Sequence, residues 1–367
     1  MITLKMKISR YRKKKLIIPI FLSIFLLILV IFLEGNFVFF KSKPVKSTKE
    51  PVIIEIEKGD NIFNIAKKLK EKGLIRSELF FIFKAFKTGT YNKIKAGEYA
   101  FYPSQSIEEV LTYFRKGKIY LHKITIPEGS TLWQIAEILE VNKICKKEEF
   151  LSLAENPLIA ERFKLPGPTL EGYLYPDTYF FHKNTPPQIV IQTMVENFWK
   201  HWEKFKDIAE KQKKPLKKII TLASIIEKEA YYPEEKPIIA AVYLNRLKKG
   251  MPLQADPTIN YALKNFRKLT YKDYYLVKSP YNTYLKDGLP PTPICNPGED
   301  SIKAVLFPAK VPYLYFVAKG DGTHYFSRTY KEHLEAIKKI RNDKEFSNGT
   351  SNSTLISEKK NIEKENL

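Results

Sequence analysis

The hydrophobic pattern of the chain opens on an uncharged run, LIIPIFLSIFLLILVIFL from Leu16 to Leu33, and apolar character resumes after Glu34 in Phe37 to Phe40. The stretch is long enough to cross the hydrocarbon core of a bilayer, and a helix there satisfies every backbone group that lipid cannot. A transmembrane helix is therefore predicted over 16–40, with Pro19 in its first turn, where a missing N–H costs little. A cleavable signal peptide fits less well, because the run exceeds the usual signal core and leads into aromatics with no small-x-small site. The basic residues before it (Lys5, Lys7, Arg10, Arg12, Lys13, Lys14, Lys15) hold tail 1–15 in the cytoplasm. A single-pass protein of the cytoplasmic (inner) membrane follows, with everything after about residue 41 outside and membrane lipid as one partner.

After a polar, Pro-containing linker over 41–51, period-two alternation gives way to helical spacing, and this happens twice. IEIEKGDNIFNIAKKL from Ile54 to Leu69 aligns without a gap with ITIPEGSTLWQIAEIL from Ile124 to Leu139. Each copy predicts a strand, a Gly turn (Gly59, Gly129), a capping residue (Asp60, Ser130) and an amphipathic helix. Between them, AGEYAFYPSQSIEEVLTYFRKG predicts a second strand, a turn at Pro103 and another helix. The first copy resembles a LysM module, whose family binds GlcNAc-containing polymers, so 52–120 is expected to be a LysM-like domain. A strand-turn-helix unit that packs without touching sugar remains an equal alternative.

The region 121–210 is expected to hold the second strand-turn-helix unit and a connecting region in which helices dominate from about Lys146 to Lys206, interrupted by LEGYLYPDTYFF at Leu170 to Phe181, an aromatic run that suits either an internal core or a sugar-stacking groove. KQKKPLKK at Lys211 to Lys218 marks the start of a further region, 211–340, and the polar tract over 341–367 has the composition of a disordered tail. The expected fold class is α+β: a transmembrane helix, a duplicated strand-turn-helix region, and a domain carrying the chemistry.

Composition narrows the functional classes. The net charge of +22, from 62 Lys and Arg against 40 Asp and Glu, invites a nucleic-acid reading. The excess is spread over the N-terminal tail and scattered Lys pairs with no nucleic-acid-binding motif, so no nucleic-acid partner is expected. Cys145 and Cys295 lack CxxC spacing and a partnering His cluster, and neither a structural metal nor a cofactor is expected.

The candidate chemistry lies in LKKIITLASIIEKEA, Leu216 to Ala230, a strong helix former that is apolar around most of its circumference after Lys218. Glu227 and Glu229 end this run, where burying an unpartnered carboxylate is costly and favours its protonated form. Periodicity does not choose between them. Glu227 continues the stripe Leu216, Ile220, Ala223 and has the smaller neighbours, Ser224 and Ala230, which leaves room for a substrate. Downstream, a bend holds Gln254, Asp256 and Thr258, and a long Pro- and Gly-rich loop carries Tyr281, Asn282, Thr283 and Tyr284; loops of that length in compact domains are usually functional. YLYFVAKGDGTHYFS, Tyr313 to Ser327, predicts a hairpin.

Taken in order, EGYLYPDTY, ASIIEKEA, VYLNRL, LQADPTINYA, SPYNTY, GLPPTPICNPG and PYLYFVAKGDGTHYFS resemble the YceG-like (MltG) endolytic murein transglycosylase family, over roughly Val52 to Lys339. The resemblance implies a lyase that cuts the β-1,4 bond between MurNAc and GlcNAc in nascent peptidoglycan glycan strands, leaving 1,6-anhydro-MurNAc ends and limiting strand length. It implies Glu227 as catalytic acid and then base, and Gln254, Asp256, Tyr281, Asn282 and Tyr284 as substrate-binding residues. A peptidoglycan synthase complex is the implied partner. Two other readings compete: a hydrolytic muramidase, with Asp256 or Glu229 as second carboxylate, and a noncatalytic wall-binding scaffold.

Overall fold

The computed structural model describes residues 50–343, together with Ser23, Phe25, Leu26, Pro44 and Val45. Nearly all of the expected membrane segment and the tail after 343 lie outside the described residues, among which no helix is long and apolar enough to cross a membrane. The fold is mixed α/β, with helices joined to three two-stranded antiparallel sheets. The chain divides into two compact units, one ending at Leu121 and the other beginning at His122.

In the first unit, β1 (Val52–Ile56) leads through α1 (Ile62–Glu71) and α2 (Glu78–Lys87) to β2 (Gly97–Phe101), then α3 (Ile107–Arg115). β1 and β2 pair antiparallel from Val52 opposite Phe101 to Ile56 opposite Gly97. Alternation puts Ile54 and Ile56 inside, where they meet Ile65, Ala66 and Leu69 of α1 and an aromatic cluster of Phe81, Tyr99, Phe101 and Phe114. This core is complete within the unit.

The second unit repeats the plan in its first part. β3 (His122–Thr125) is followed by α4 (Leu132–Val141), α5 (Lys147–Ala154) and a short α6 (Pro157–Arg162). The chain then returns as β4 (Thr178–Phe181), antiparallel to β3, and continues into the long α7 (Pro187–Lys211). The duplication is thus longer than its sequence signal, running strand, helices, strand, helix in both units. Both helix caps fall one residue later than expected. Asn61 accepts from Phe63 N and Asn64 N, while Asp60 is drawn off to Lys68 Nζ at 2.7 Å. Thr131 forms a capping box with Gln134, while the Ser130 hydroxyl donates to Pro127 O.

The remaining elements surround α8 (Leu216–Glu229): α9 (Lys236–Lys248), α10 (Asp256–Ala262), α11 (Tyr271–Leu276), α12 (Glu299–Leu306), the hairpin β5 (Tyr315–Ala318) and β6 (His324–Ser327), and a helix over 330–343. From Ile219 to Ile226 every side chain of α8 is buried, because α9, α10 and α12 all pack on it. The segments expected as separate regions, 121–210 and 211–340, share this one core, which runs from Ile124 to Leu306. The aromatic run belongs to it: Tyr173, Tyr175, Tyr179 and Phe181 are buried and Phe180 alone of its rings is largely exposed.

Candidate functional site

α8 ends at Glu229, and two glutamates two residues apart on a helix point about 200° away from each other. Their surroundings differ accordingly. Glu227 faces the start of α12 and the start of α9. Its carboxylate accepts from Ser301 Oγ at 2.6 Å, from Gly298 N at 3.0 Å and from Lys236 Nζ at 3.2 Å. Gly298 is the N-cap of α12, so the carboxylate occupies the positive end of that helix, and Lys236 is itself 4% exposed. Far from being unpartnered, Glu227 is an acceptor pinned by three donors. That arrangement binds α8, α9 and α12 together.

Glu229 faces the other way. Among the described residues its hydrogen bond comes from Tyr243 Oη onto Oε1, at 2.7 Å. The residue is half-buried, as Glu227 is, and among the described residues Oε2 accepts no hydrogen bond. Burial pushes its pKa up to about 7, and the Asp256 charge adds to the rise; the Tyr243 hydrogen bond and the Arg246 charge work against it.

The five predicted binding residues fall mainly on this second side. Asp256, the first residue of α10, accepts from Tyr284 Oη at 2.7 Å and from Tyr274 Oη at 3.2 Å. The Tyr284 hydroxyl feels both Asp256 and Glu229, and with burial they hold it protonated. Gln254 adopts a left-handed backbone, φ +50°, and its Oε1 lies 3.4 Å from Arg246 Nη1. Asn282 is fully buried and donates to Tyr274 O and Val277 O, so it shapes the loop from beneath. Tyr281 bonds Thr292 Oγ1 and packs its ring on Tyr261, on the flank next to Glu171. Asp256, Tyr284 and Gln254 thus gather around the Glu229 side, whereas the turn of the helix sends Glu227 to the α12 side.

Two sequence motifs meet here for a backbone reason. Gln254 N donates to Thr283 O and Ala255 N to Thr283 Oγ1, while Thr258 and Thr283 share a hydroxyl bond. LQADPT and SPYNTY are thereby locked into one surface. Arg246, unassigned from sequence, anchors the same surface by donating to Leu314 O and Leu253 O, with Tyr315 stacked on its guanidinium.

A second buried acid was also missed. Glu171 is 0% exposed and accepts from Leu132 N, Tyr261 Oη and Asn296 Nδ2. Burial pushes its pKa up to about 8. Asn296 in turn donates to Ser130 O and accepts from Leu174 N, so one amide joins the second repeat, the EGYLYP run and the Pro-rich loop. The thiols of Cys145 and Cys295 are both free.

This fold, with its glutamate-ended central helix and ordered motifs, is that of a known class: the model of the YceG-like family matches residues 54–339, and the chain belongs to that family. Among curated relatives, the endolytic murein transglycosylase of Bacillus subtilis (strain 168) is 36% identical over 333 residues, covering 84% of this chain and 91% of that protein. A protein of the same name from Streptococcus pneumoniae is 29% identical over 330 residues, 81% of this chain and 60% of the relative. The crystal structure of a YceG-like protein from Listeria monocytogenes aligns with a TM-score of 0.55 at 37% identity, over 78% of this chain and 99% of that one.

Proposed function

We propose that the chain is an endolytic lytic transglycosylase of peptidoglycan and that Glu229 is its acid and base, in place of the Glu227 that the motif resemblance implied. The observation that carries the assignment is the contrast within EKE. Glu229 has a pKa of about 7 and a single hydrogen bond, from a neutral phenol, whereas Glu227 is saturated by Lys236, Gly298 and Ser301. A general acid has to reach the substrate with its proton still on.

Protonated Glu229 donates to the oxygen that links MurNAc to GlcNAc as that bond breaks. Its carboxylate then takes the proton from the MurNAc C6 hydroxyl while O6 closes on C1, giving the anhydro end with no water consumed. One carboxyl serves both steps, where most glycosidases use two. Asp256, held by two phenols, faces the charge that builds on the sugar ring. The proximity of Asp256 also supports a second reading, in which it directs a water onto C1 and the product is a reducing end.

Around this site we assign the run Leu16–Leu33 as a membrane anchor with the enzyme outside the cytoplasmic membrane, and the first unit as a LysM-like wall-binding module. A synthase that delivers nascent strands is the expected partner. The test is digestion of uncrosslinked glycan strands followed by mass spectrometry of the products. Anhydro ends from wild type and their loss in Glu229→Gln support the reading. Products heavier by one water indicate the hydrolase, and equal activity of variant and wild type overturns the assignment.

A further inference from the structure

Outside the acid-base site the second unit carries a cleft of about 480 Å³, formed by the turn and first helix of its repeat. Pro127, Glu128, Gly129 and Ser130 make one wall, Gln134, Glu137, Ile138 and Asn142 the other, and Lys228 comes in from α8. Lys228 lies between Glu227 and Glu229. Its ammonium stacks 4.3 Å from the centre of the Phe266 ring, and a Cβ on Gly129 would stand 3.5 Å from its Nζ, so the charge sits at the cleft floor. The opposite charge is on the rim. Glu137 is exposed, and Glu128 lays its carboxyl against Gly298, where burial and the neighbouring Glu227 raise its pKa.

We propose that this cleft is a subsite for the stem peptide carried by the sugar that is cut, an inference that rests on the reading above. The peptide leaves the ring as a lactyl-linked chain bearing carboxylates, amides, small methyl side chains and a free amine. Each has a counterpart here: the Lys228 ammonium for a carboxylate, Glu137 and Glu128 for the amine, Gln134 and Asn142 for amides, Ile138 and Val141 for methyls. The path is short. α10 carries Asp256 at one end and Tyr261 near the other, about 7.5 Å apart along the axis at the helical rise of ~1.5 Å per residue. Tyr261 packs on Trp133, which flanks Phe266 and Lys228. The contact chain Tyr261, Trp133, Phe266, Lys228 thus joins α10, the helix that carries Asp256, to the cleft.

The test uses the full-length protein in detergent, with uncrosslinked strands that keep their stems and the same strands stripped by an amidase. Wild type is expected to cleave stem-bearing strands with about tenfold higher kcat/KM, the size of one charge-assisted hydrogen bond. In Lys228→Ala/Glu137→Gln that ratio falls to about one; because a ratio is read, a general loss of activity cancels. Titration of free stem peptide into Glu229→Gln protein, followed by NMR, is expected to shift the Ile138 and Val141 methyls. An unchanged ratio in the double variant, or no preference in wild type, overturns the subsite while leaving the cutting activity standing. Failure of wild type to cleave either strand overturns both.

Discussion

Tyr243 Oη donates to Glu229 Oε1 at 2.7 Å, from the same helix α9 whose first residue, Lys236, holds Glu227 at 3.2 Å. Their separation of seven residues is about two turns, so α9 lies along the end of α8 and grips its two glutamates from opposite sides. One grip is an ion pair, 5% and 9% exposed at its two side chains; the other is a neutral phenol. The difference underlies the proposed division of the pair into a structural acid and a reactive one.

Two isosteric variants separate these roles. Glu229→Gln is expected to lower kcat about a thousandfold, within the range for loss of general acid-base catalysis, while its urea midpoint stays close to wild type. Glu227→Gln strands the Lys236 ammonium and is expected to cost about 3 kcal/mol, as for other broken buried pairs. Paired denaturation curves and turnover measurements decide the matter: a stable, inactive Glu227→Gln would return the catalytic role to Glu227.

The pH profile carries the same assignment. If Glu229 is the general acid its reactive form is the protonated one, and with its pKa near 7, kcat/KM is expected to be high below 7 and to fall as pH rises through it. Tyr243→Phe removes a hydrogen bond that stabilises the carboxylate, so the falling limb moves to higher pH. Asp256→Asn removes a repelling charge, so the limb moves to lower pH. Movement of either limb in the opposite sense would exclude Glu229 as the group read by the profile.

Much of this was legible before any coordinates. The strand-turn-helix duplication, the buried helix over 216–229 and the hairpin at 315–327 follow from periodicity, since burial of one face is what periodicity records. Two things were hidden. Glu227 and Glu229 both continue an apolar stripe, and only the packing of α9 and α12 shows that one stripe ends on three donors and the other on a single phenol. Glu171 opens a motif of aromatics, but its burial depends on Asn296, more than a hundred residues away, and no local pattern encodes that contact.

Gly172 illustrates such a contact in backbone terms. It sits at φ +91°, and an added Cβ would lie 2.5 Å from Pro293 Cβ and 2.9 Å from Ile220 Cγ2. Gly172→Ala combines a left-handed backbone with overpacking, each costing roughly 1 kcal/mol or more. A loss of about 3 kcal/mol is expected in urea denaturation. A change below about 1 kcal/mol would mean that the Pro-rich loop is not seated on α8 as described.

Glu171 yields a stability prediction whose sign can be worked out. Its folded pKa, about 8, lies above the ordinary carboxyl value of 4.5 because burial disfavours the charge more than Leu132 N and Tyr261 Oη favour it. Between those values the folded protein keeps a proton that the unfolded chain has released, so stability falls as pH rises. The contribution is full below about 4.5 and is lost as pH climbs through 8. Glu171→Gln cannot ionise, so it is expected to flatten the slope across that window and to be relatively more stable than wild type at pH 8.5, by on the order of a few kcal/mol. Glu229, raised in the same direction, leaves a residual slope, which the double variant with Glu229→Gln lowers further. Urea midpoints at pH 5 and pH 8.5 check this directly: a wild type that gains stability over the interval would show that Glu171 is held ionised by a donor strong enough to offset its burial.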